Sequence, residues 1–517
     1  MFAIHPDKAP GPDGFSASFF QTNWNVVGQD IVKEVQAFFS SGTLPRSTND
    51  THIRLIPKIT GPKRVADYRP IALCNVCYKV VSKILTWRLQ PVLNGIISEN
   101  QSAFVPKRAI ADNVLITHEV LHFLKSSKAK ISCTMAVKID MSKAYDRLEW
   151  VFIRQVMQRL GFHERWIGWV MHCITSVTYS FLINGSPRGF VKPSRGIRQG
   201  DPLSPYIFIL CSEVLSGLCT KAQRSGKLQG IRVARASPRI NHLLFADDTM
   251  FFCKANGKSC KALKHILDKY EKVSGQQINF QKSAITFSQK TPPATKLLVK
   301  SRLQIEKEGG TGKYLGLPEH FGRRKKDLFT AIVDRIRQKA ASWSSRRLSI
   351  AGKLVMLKSV LSAMPTYTMS CFKLPQSLCK RIQSALTRFW WDSSPENKRL
   401  GWVALNKMAK PKFLGGLGFK DINMFNDALL AKLSWRILNK PECLLARILK
   451  GKYFRRSSFL ESTIPTTASH GWRSIHIGKE LLTSNLGWVI GDGQSIRVWQ
   501  DPWLSLEEPL RPTGPPT

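Results

Sequence analysis

"NHLLFADDTMFF", residues 241–252, sets two acids side by side inside an apolar run. Asp247 and Asp248 follow Leu243, Leu244, Phe245 and Ala246, and precede Thr249, Met250, Phe251 and Phe252. The flanks want burial, whereas two adjacent ionised carboxylates repel each other and are costly to desolvate. Asp tolerates the special dihedrals of turns, so the stretch reads as strand, tight turn, strand. The pair is then either the exposed tip of a hairpin or a place where a cation sits.

About a hundred residues upstream, the β-rich run "TMAVKID" (134–140) also ends on an acid, Asp140. Three carboxylates at strand ends of one sheet could hold two divalent cations ~3.5–4 Å apart, which clamp the attacking and leaving oxygens of an in-line phosphoryl transfer. Such ions take hard oxygen ligands, and Asp supplies them on a short stem. An exposed Asp–Asp turn stays open beside that reading. Around these runs the spacing predicts helices over 27–39, 70–95 (Val80, Val81, Ile84 and Leu85 on one side), 142–162 and 260–275, the last with a Gly stop, and a strand over 283–288. Strands and helices without a regular βαβ alternation point to an α+β fold. After about residue 320 the pattern turns mainly helical and holds nine of the 14 tryptophans.

Composition narrows the partners. The chain has 517 residues, 43% of them hydrophobic, enough for more than one domain. It carries 78 Lys plus Arg against 35 Asp plus Glu, net +43, spread as +23 over residues 1–319 and +20 over 320–517. Basic charge distributed through a folded chain calls for a polyanion, most commonly nucleic acid. A membrane surface fits less well, because there is no run of 18 apolar residues, no signal peptide and no lipidation motif. Cys74 and Cys77 form a CxxC without a second pair nearby, which argues against a zinc ribbon and for core thiols an i, i+3 step apart on one helix.

These blocks resemble those of the reverse transcriptases of non-LTR retrotransposons, in particular the long interspersed element type of plants. "FADD" (245–248) is similar to the family's palm hairpin, and "AVKIDMSKAYDRLEW" (136–150) to its first catalytic block. "GIRQGDPLSPYIF" (196–208) resembles the block that braces template and nucleotide; "LIPKITGPKRVADYRPIAL" (55–73) resembles the fingers segment and "QSAFVPKRAIADN" (101–113) the next block. "DKAPGPDGF" (7–15) and "KYLGLP" (313–318) fit the two ends, so the blocks run in family order over residues 7–318. "GWVALNKMAKPKFLGGLGFKD" and "IRVWQDPWL" further on also resemble the plant family.

The resemblance implies a right-hand polymerase: an N-terminal extension over 1–49, fingers and an α+β palm over 50–320, and a helical thumb with a Trp-rich C-terminal region over 321–517. It implies RNA-templated addition of deoxynucleotides to a DNA 3′ end with two Mg2+ ions, Mn2+ being the alternative. RNA template, DNA primer and dNTPs would be its partners, without a membrane, and the nucleus its place of work, with a cytoplasmic ribonucleoprotein as a second location. Asp140, Asp247 and Asp248 would be the catalytic carboxylates and metal ligands, with the Met141 carbonyl completing the nucleotide-metal shell. Tyr145 stands at the steric-gate position, and Gln199 and Gly200 at the positions against the new base pair. Lys58 and Arg69 match fingers positions facing the triphosphate, and Lys282 the residue near the leaving pyrophosphate. The run "GRRKK" (322–326) could serve nuclear import. The family's endonuclease, zinc knuckle and ribonuclease H have no counterpart in this sequence, which leads to the expectation of a chain that extends a 3′ end supplied from elsewhere. The competing reading is a catalytically silent, retrotransposon-derived RNA-binding protein that keeps only the basic surface.

Overall fold

A computed structural model describes residues 1–310, 312–319, 325–341, 348–392, 399–494, 496–505 and 507–514. The chain divides into two units: residues 1–113, 127–231 and 239–309 form one, and residues 114–126, 232–238 and 310–517 the other. In the first, eight strands make two four-stranded sheets among the described residues: β1 Asp50–Pro57, β2 Tyr68–Cys74, β3 Thr134–Ile139, β4 Thr178–Ile183, β5 Ser186–Val191, β6 His242–Phe245, β7 Asp248–Lys254 and β8 Ala284–Phe287.

β3 is one of the two inner strands of its sheet, in the order β6-β7-β3-β8. Met135, Ala136, Val137 and Ile139 are each at most 1% exposed, because β3 is covered on both faces and paired on both edges. All three pairings in this sheet are antiparallel. Helices Trp150–Arg159, Ser204–Arg224 and Gly257–Ser274 supply Phe152, Ile207 and Leu263 to the same core as Val137 and Phe251. The last of these stops at Gly275 in the left-handed region, the Gly stop expected from sequence. The second sheet runs β2-β1-β4-β5, with β1 and β4 parallel and the other pairs antiparallel.

Three expectations need correction. Residues 70–74 are strand, not helix: β2 pairs with β1 from Tyr68↔Pro57 to Cys74↔Thr51, and the helix starts only at Val76. Cross-strand pairing decides the conformation here, and Pro70 keeps Arg69 extended. Cys74 therefore closes a strand while Cys77 lies on a helix, so the two are not a pair on one helical face, and both are free thiols. The stretch 142–162 is two helices, Ala144–Arg147 and Trp150–Arg159, broken where Leu148 turns fully into the core.

The second unit is mainly helical. Helices Lys325–Ala340 and Gln376–Trp391 enclose a core of Ile332, Val333, Ile336, Leu378 and Ile382. Trp472, in helix His470–Thr483, is fully buried against Tyr453 with their rings parallel at 4.5 Å. The basic run of 322–326 lies outside the residues whose side chains are described. No helix among the described residues is long and apolar enough to cross a membrane.

Candidate active site

The hairpin that opened the sequence is real, and its register brings the three acids together. β6 and β7 end on the pair Phe245↔Asp248, joined by the two-residue turn Ala246–Asp247. Ala246 has φ of 52°, the left-handed value such hairpin turns require of a residue. On the other edge of β7, Thr249 faces Ile139; in an antiparallel ladder the next step sets Asp140 across from Asp248. Asp247 stands beside them on the turn. From the far side, Asp140 donates its amide to Ser283 Oγ (3.2 Å) and accepts from the Asn279 amide (2.8 Å), while the Ser142 amide donates to Gln277 (2.7 Å). These bonds bracket Met141, and among the described residues none ends on its carbonyl.

The carboxylates feel one another. The Asp247 residue is exposed, yet partial desolvation of its carboxyl raises its pKa; Asp140 adds to the rise, and its own backbone and Arg69 oppose it. Asp248 is raised by burial and then by Asp247, with Lys138 opposing and Asp140 adding. Mutual repulsion at one spot is what a bound cation would relieve, and the donors are the oxygens a hard cation takes. Even so, among the described residues no group of three or more His, Cys, Asp or Glu is placed so that it could hold a metal ion.

Residues outside the predicted site hold the hairpin. Segment 100–102 lies along the free edge of β6: the Leu244 amide donates to the Asn100 carbonyl (2.8 Å) and the Ser102 amide to the Leu244 carbonyl (3.1 Å). Gln101 is fully buried, and its Oε1 accepts from the amides of Ala103 (3.0 Å) and Ala246 (3.2 Å). Asn113 Nδ2 adds a bond to the Leu244 carbonyl (2.8 Å). Residues 101–113 read as a family block in the sequence, which assigns Gln101 and Asn113 no role, because nothing local marks which polar side chain of that block is buried.

The other predicted residues divide. The Tyr145 ring stacks on Phe208, centroids 5.1 Å apart and planes 5° off parallel, and its phenol is pushed up by burial and by the charge of Asp247. Gln199 accepts from the Ala72 amide through its carbonyl (2.8 Å). Gly200 has φ of 117°, and a Cβ there would meet the Ala72 carbonyl oxygen at 2.9 Å, so only glycine allows this approach. Behind them Arg198 and Asp201 form a buried ion pair (2.8 Å) with side chains 2% and 1% exposed. Asp201 also accepts from Tyr78, Ser82 and the Leu203 amide, and Arg198 donates to Asn49 and lies 4.0 Å over the Tyr78 ring. Arg69, exposed on β2, acts electrostatically on Asp247. Lys58 instead donates to the Ala66 carbonyl (3.0 Å) and faces Asp146, whose carboxyl burial raises and Lys143, Lys58 and Arg147 lower. Lys282 is exposed next to Ser283, on the turn that holds Asp140.

Residues 56–318 match the reverse transcriptase (RNA-dependent DNA polymerase) family. An uncharacterised mitochondrial protein of Arabidopsis thaliana is 48% identical over 151 residues, 29% of this chain and 98% of that protein. An uncharacterised 149 kDa protein of transposon TX1 from Xenopus laevis is 26% identical over 422 residues, 80% of this chain but 30% of that one. A retrovirus-related Pol polyprotein from a type-2 retrotransposable element of Drosophila melanogaster is 29% identical over 322 residues, covering 60% of this chain and 28% of the polyprotein. The chain thus spans under a third of these two element proteins.

Proposed function

The chain belongs to the reverse transcriptase family, of the non-LTR retrotransposon type, and from that premise we propose that it copies RNA into DNA at the Asp140, Asp247 and Asp248 cluster. One observation carries the reading: strand register sets Asp140 opposite Asp248, with Asp247 on the adjoining turn. The family generally uses divalent metal ions; here the three carboxylates and the Met141 carbonyl would hold two Mg2+, which would polarise the phosphoryl group and activate the primer 3′ hydroxyl.

The chain's own residues do the rest. Gly200 lets backbone come close to the nascent base pair, with Gln199 beside it. Tyr145 presents a neutral ring beneath the sugar, where a 2′-hydroxyl would collide with it. Arg69 offers a forked donor to the triphosphate, Lys58 a second cation, and Lys282 a proton donor for the departing pyrophosphate. An RNA template, a DNA primer and dNTPs would be the partners, and the nucleus the place of action.

Primer extension tests this. With an RNA template, an annealed DNA primer, dNTPs and Mg2+, the purified chain should extend the primer. Asp140→Ala and Asp247→Ala should each lower the rate by ~10³-fold or more while RNA binding persists, because each removes a metal ligand. Near-parental extension by either variant, or none by the parent, would overturn the assignment.

A further inference from the structure

The turn that carries Asp247 is one its own residues would not choose. Two-residue hairpin turns favour Asn-Gly or Asp-Gly, because left-handed backbone suits glycine. Here the turn is Ala246–Asp247, and Ala246 stands at φ of 52° with a Cβ that disfavours that conformation. The carboxylates of Asp247 and Asp248 are neighbours in sequence and repel each other, which adds a force that opens the turn. Something outside the hairpin has to hold it.

The bonds on Leu244 fix β6 two residues short of Ala246. Among the described residues, the hydrogen bond that reaches the turn from outside the hairpin runs from the Ala246 amide to Gln101 Oε1 (3.2 Å). Gln101 is placed to keep that oxygen still. Its side chain is fully buried, Oε1 also takes the Ala103 amide (3.0 Å), and Nε2 donates to Ser212 Oγ (3.2 Å). The Ser212 hydroxyl gives its own proton to the Ile209 carbonyl (2.9 Å), so it meets Nε2 as an acceptor. Reversing the side-chain amide would set its NH2 against two N–H donors, which leaves a single orientation. The backbone beneath is pinned as well: Arg108 donates to the carbonyls of Gln101 (2.7 Å), Ile97 (2.8 Å) and Ser98.

We propose that Gln101 is a positioning residue for the reaction: its side-chain oxygen holds Ala246 in the left-handed conformation that keeps the Asp247 carboxylate beside Asp140 and Asp248. The inference rests on the polymerase reading of those acids and adds a residue that touches neither substrate nor metal. Without the bond, Ala246 relaxes toward the right-handed or extended backbone that a Cβ prefers, and Asp247 moves with it. No basic group changes, so the hold on RNA is untouched.

The test uses the full chain with Gln101→Leu, which removes the oxygen, and Gln101→Asn, which keeps an amide but is one methylene short. The Asn variant leaves a polar group for the buried donors and should fold even where the Leu variant does not. Primer extension is followed across a Mg2+ series. Mn2+ binding without nucleic acid is read from loss of the free-ion paramagnetic resonance signal, with Asp247→Ala giving the background. Both variants should lose about 10²-fold in kcat, the cost of a catalytic group displaced by about 1 Å, with KM for dNTP and RNA affinity close to the parent's. Half-saturating Mg2+ should rise and Mn2+ affinity fall, each several-fold. Adding Ala246→Gly to Gln101→Asn should recover part of these losses, since glycine takes the left-handed φ unaided. Variants that melt earlier yet keep the parent's kcat, Mg2+ requirement and Mn2+ affinity would make Gln101 a core amide and overturn the proposal. So would losses that Ala246→Gly leaves unrepaired, because the effect would then not run through the turn. The polymerase reading fails separately, when the parent does not extend; Mn2+ binding then still decides for or against Gln101.

Discussion

Tyr145 lies flat against Phe208, half-buried at the edge of the core, with Asp247 close enough to raise its phenol. Stacking fixes the plane of the ring, and burial keeps it neutral, so it can select only by shape. Replacing it by Val should let ribonucleotides in, raising the rNTP-to-dNTP incorporation ratio by ~10-fold or more if the clash is worth a typical 1–3 kcal/mol of discrimination. Incorporation kinetics with each nucleotide in turn decides the matter. A structural aromatic would behave differently: the variant would melt earlier and still reject ribonucleotides as the parent does. From sequence alone an aromatic on a helix next to a strand end reads as core, and the structure finds it packed into core on one side and facing the carboxylates on the other. Both aspects are true of the same ring, which is why residue type by itself could not assign it.

The hairpin was legible because its signals are local: an apolar run, a pair of acids and a second apolar run all lie within 241–252, although the turn falls on Ala246–Asp247 and Asp248 already belongs to β7. β2 was not, because its strand conformation is imposed by β1 and by the Ala72 to Gln199 bond, partners that helical spacing cannot report. Gln101 was invisible for the same reason: the amide it anchors belongs to Ala246, 145 residues away. Arg198 and Asp201 sat inside a quoted block, yet nothing local says that both are buried. Their pairing makes the strongest prediction at this scale. Asp201→Asn keeps the shape but leaves the Arg198 guanidinium buried without a counter-charge, a loss of about 3–5 kcal/mol for a fully buried pair. The melting temperature should fall by several degrees, and extension with it as Gln199 and Gly200 lose their support. A variant that melts with the parent would mean that the guanidinium finds water or another partner and that this ion pair does not brace the loop.

Across the whole chain the dominant fact is charge, +43 in 517 residues, shared almost evenly between residues 1–319 and 320–517. A site built only to bind a nucleotide needs a few cations; a surplus distributed this way implies contact along an extended polyanion, in which each neutralised phosphate releases counterions. Affinity for RNA should therefore fall steeply with salt, by roughly 10³-fold or more between about 50 and 200 mM if some eight phosphates are engaged, with a log–log slope of ~0.7 per phosphate. The same titration on the Asp140→Ala variant should give an equal or slightly smaller affinity loss, since removing one carboxylate from a basic surface does not weaken its field. A slope near zero would mean that few phosphates are held and that the surplus serves solubility, the bland reading of a basic surface. A slope of only two or three would confine binding to a single patch, leaving the charge on the other part of the chain without a partner. A steep slope that survives loss of Asp140 is the signature expected of a protein whose grip on nucleic acid is spread over its length and does not run through the three carboxylates.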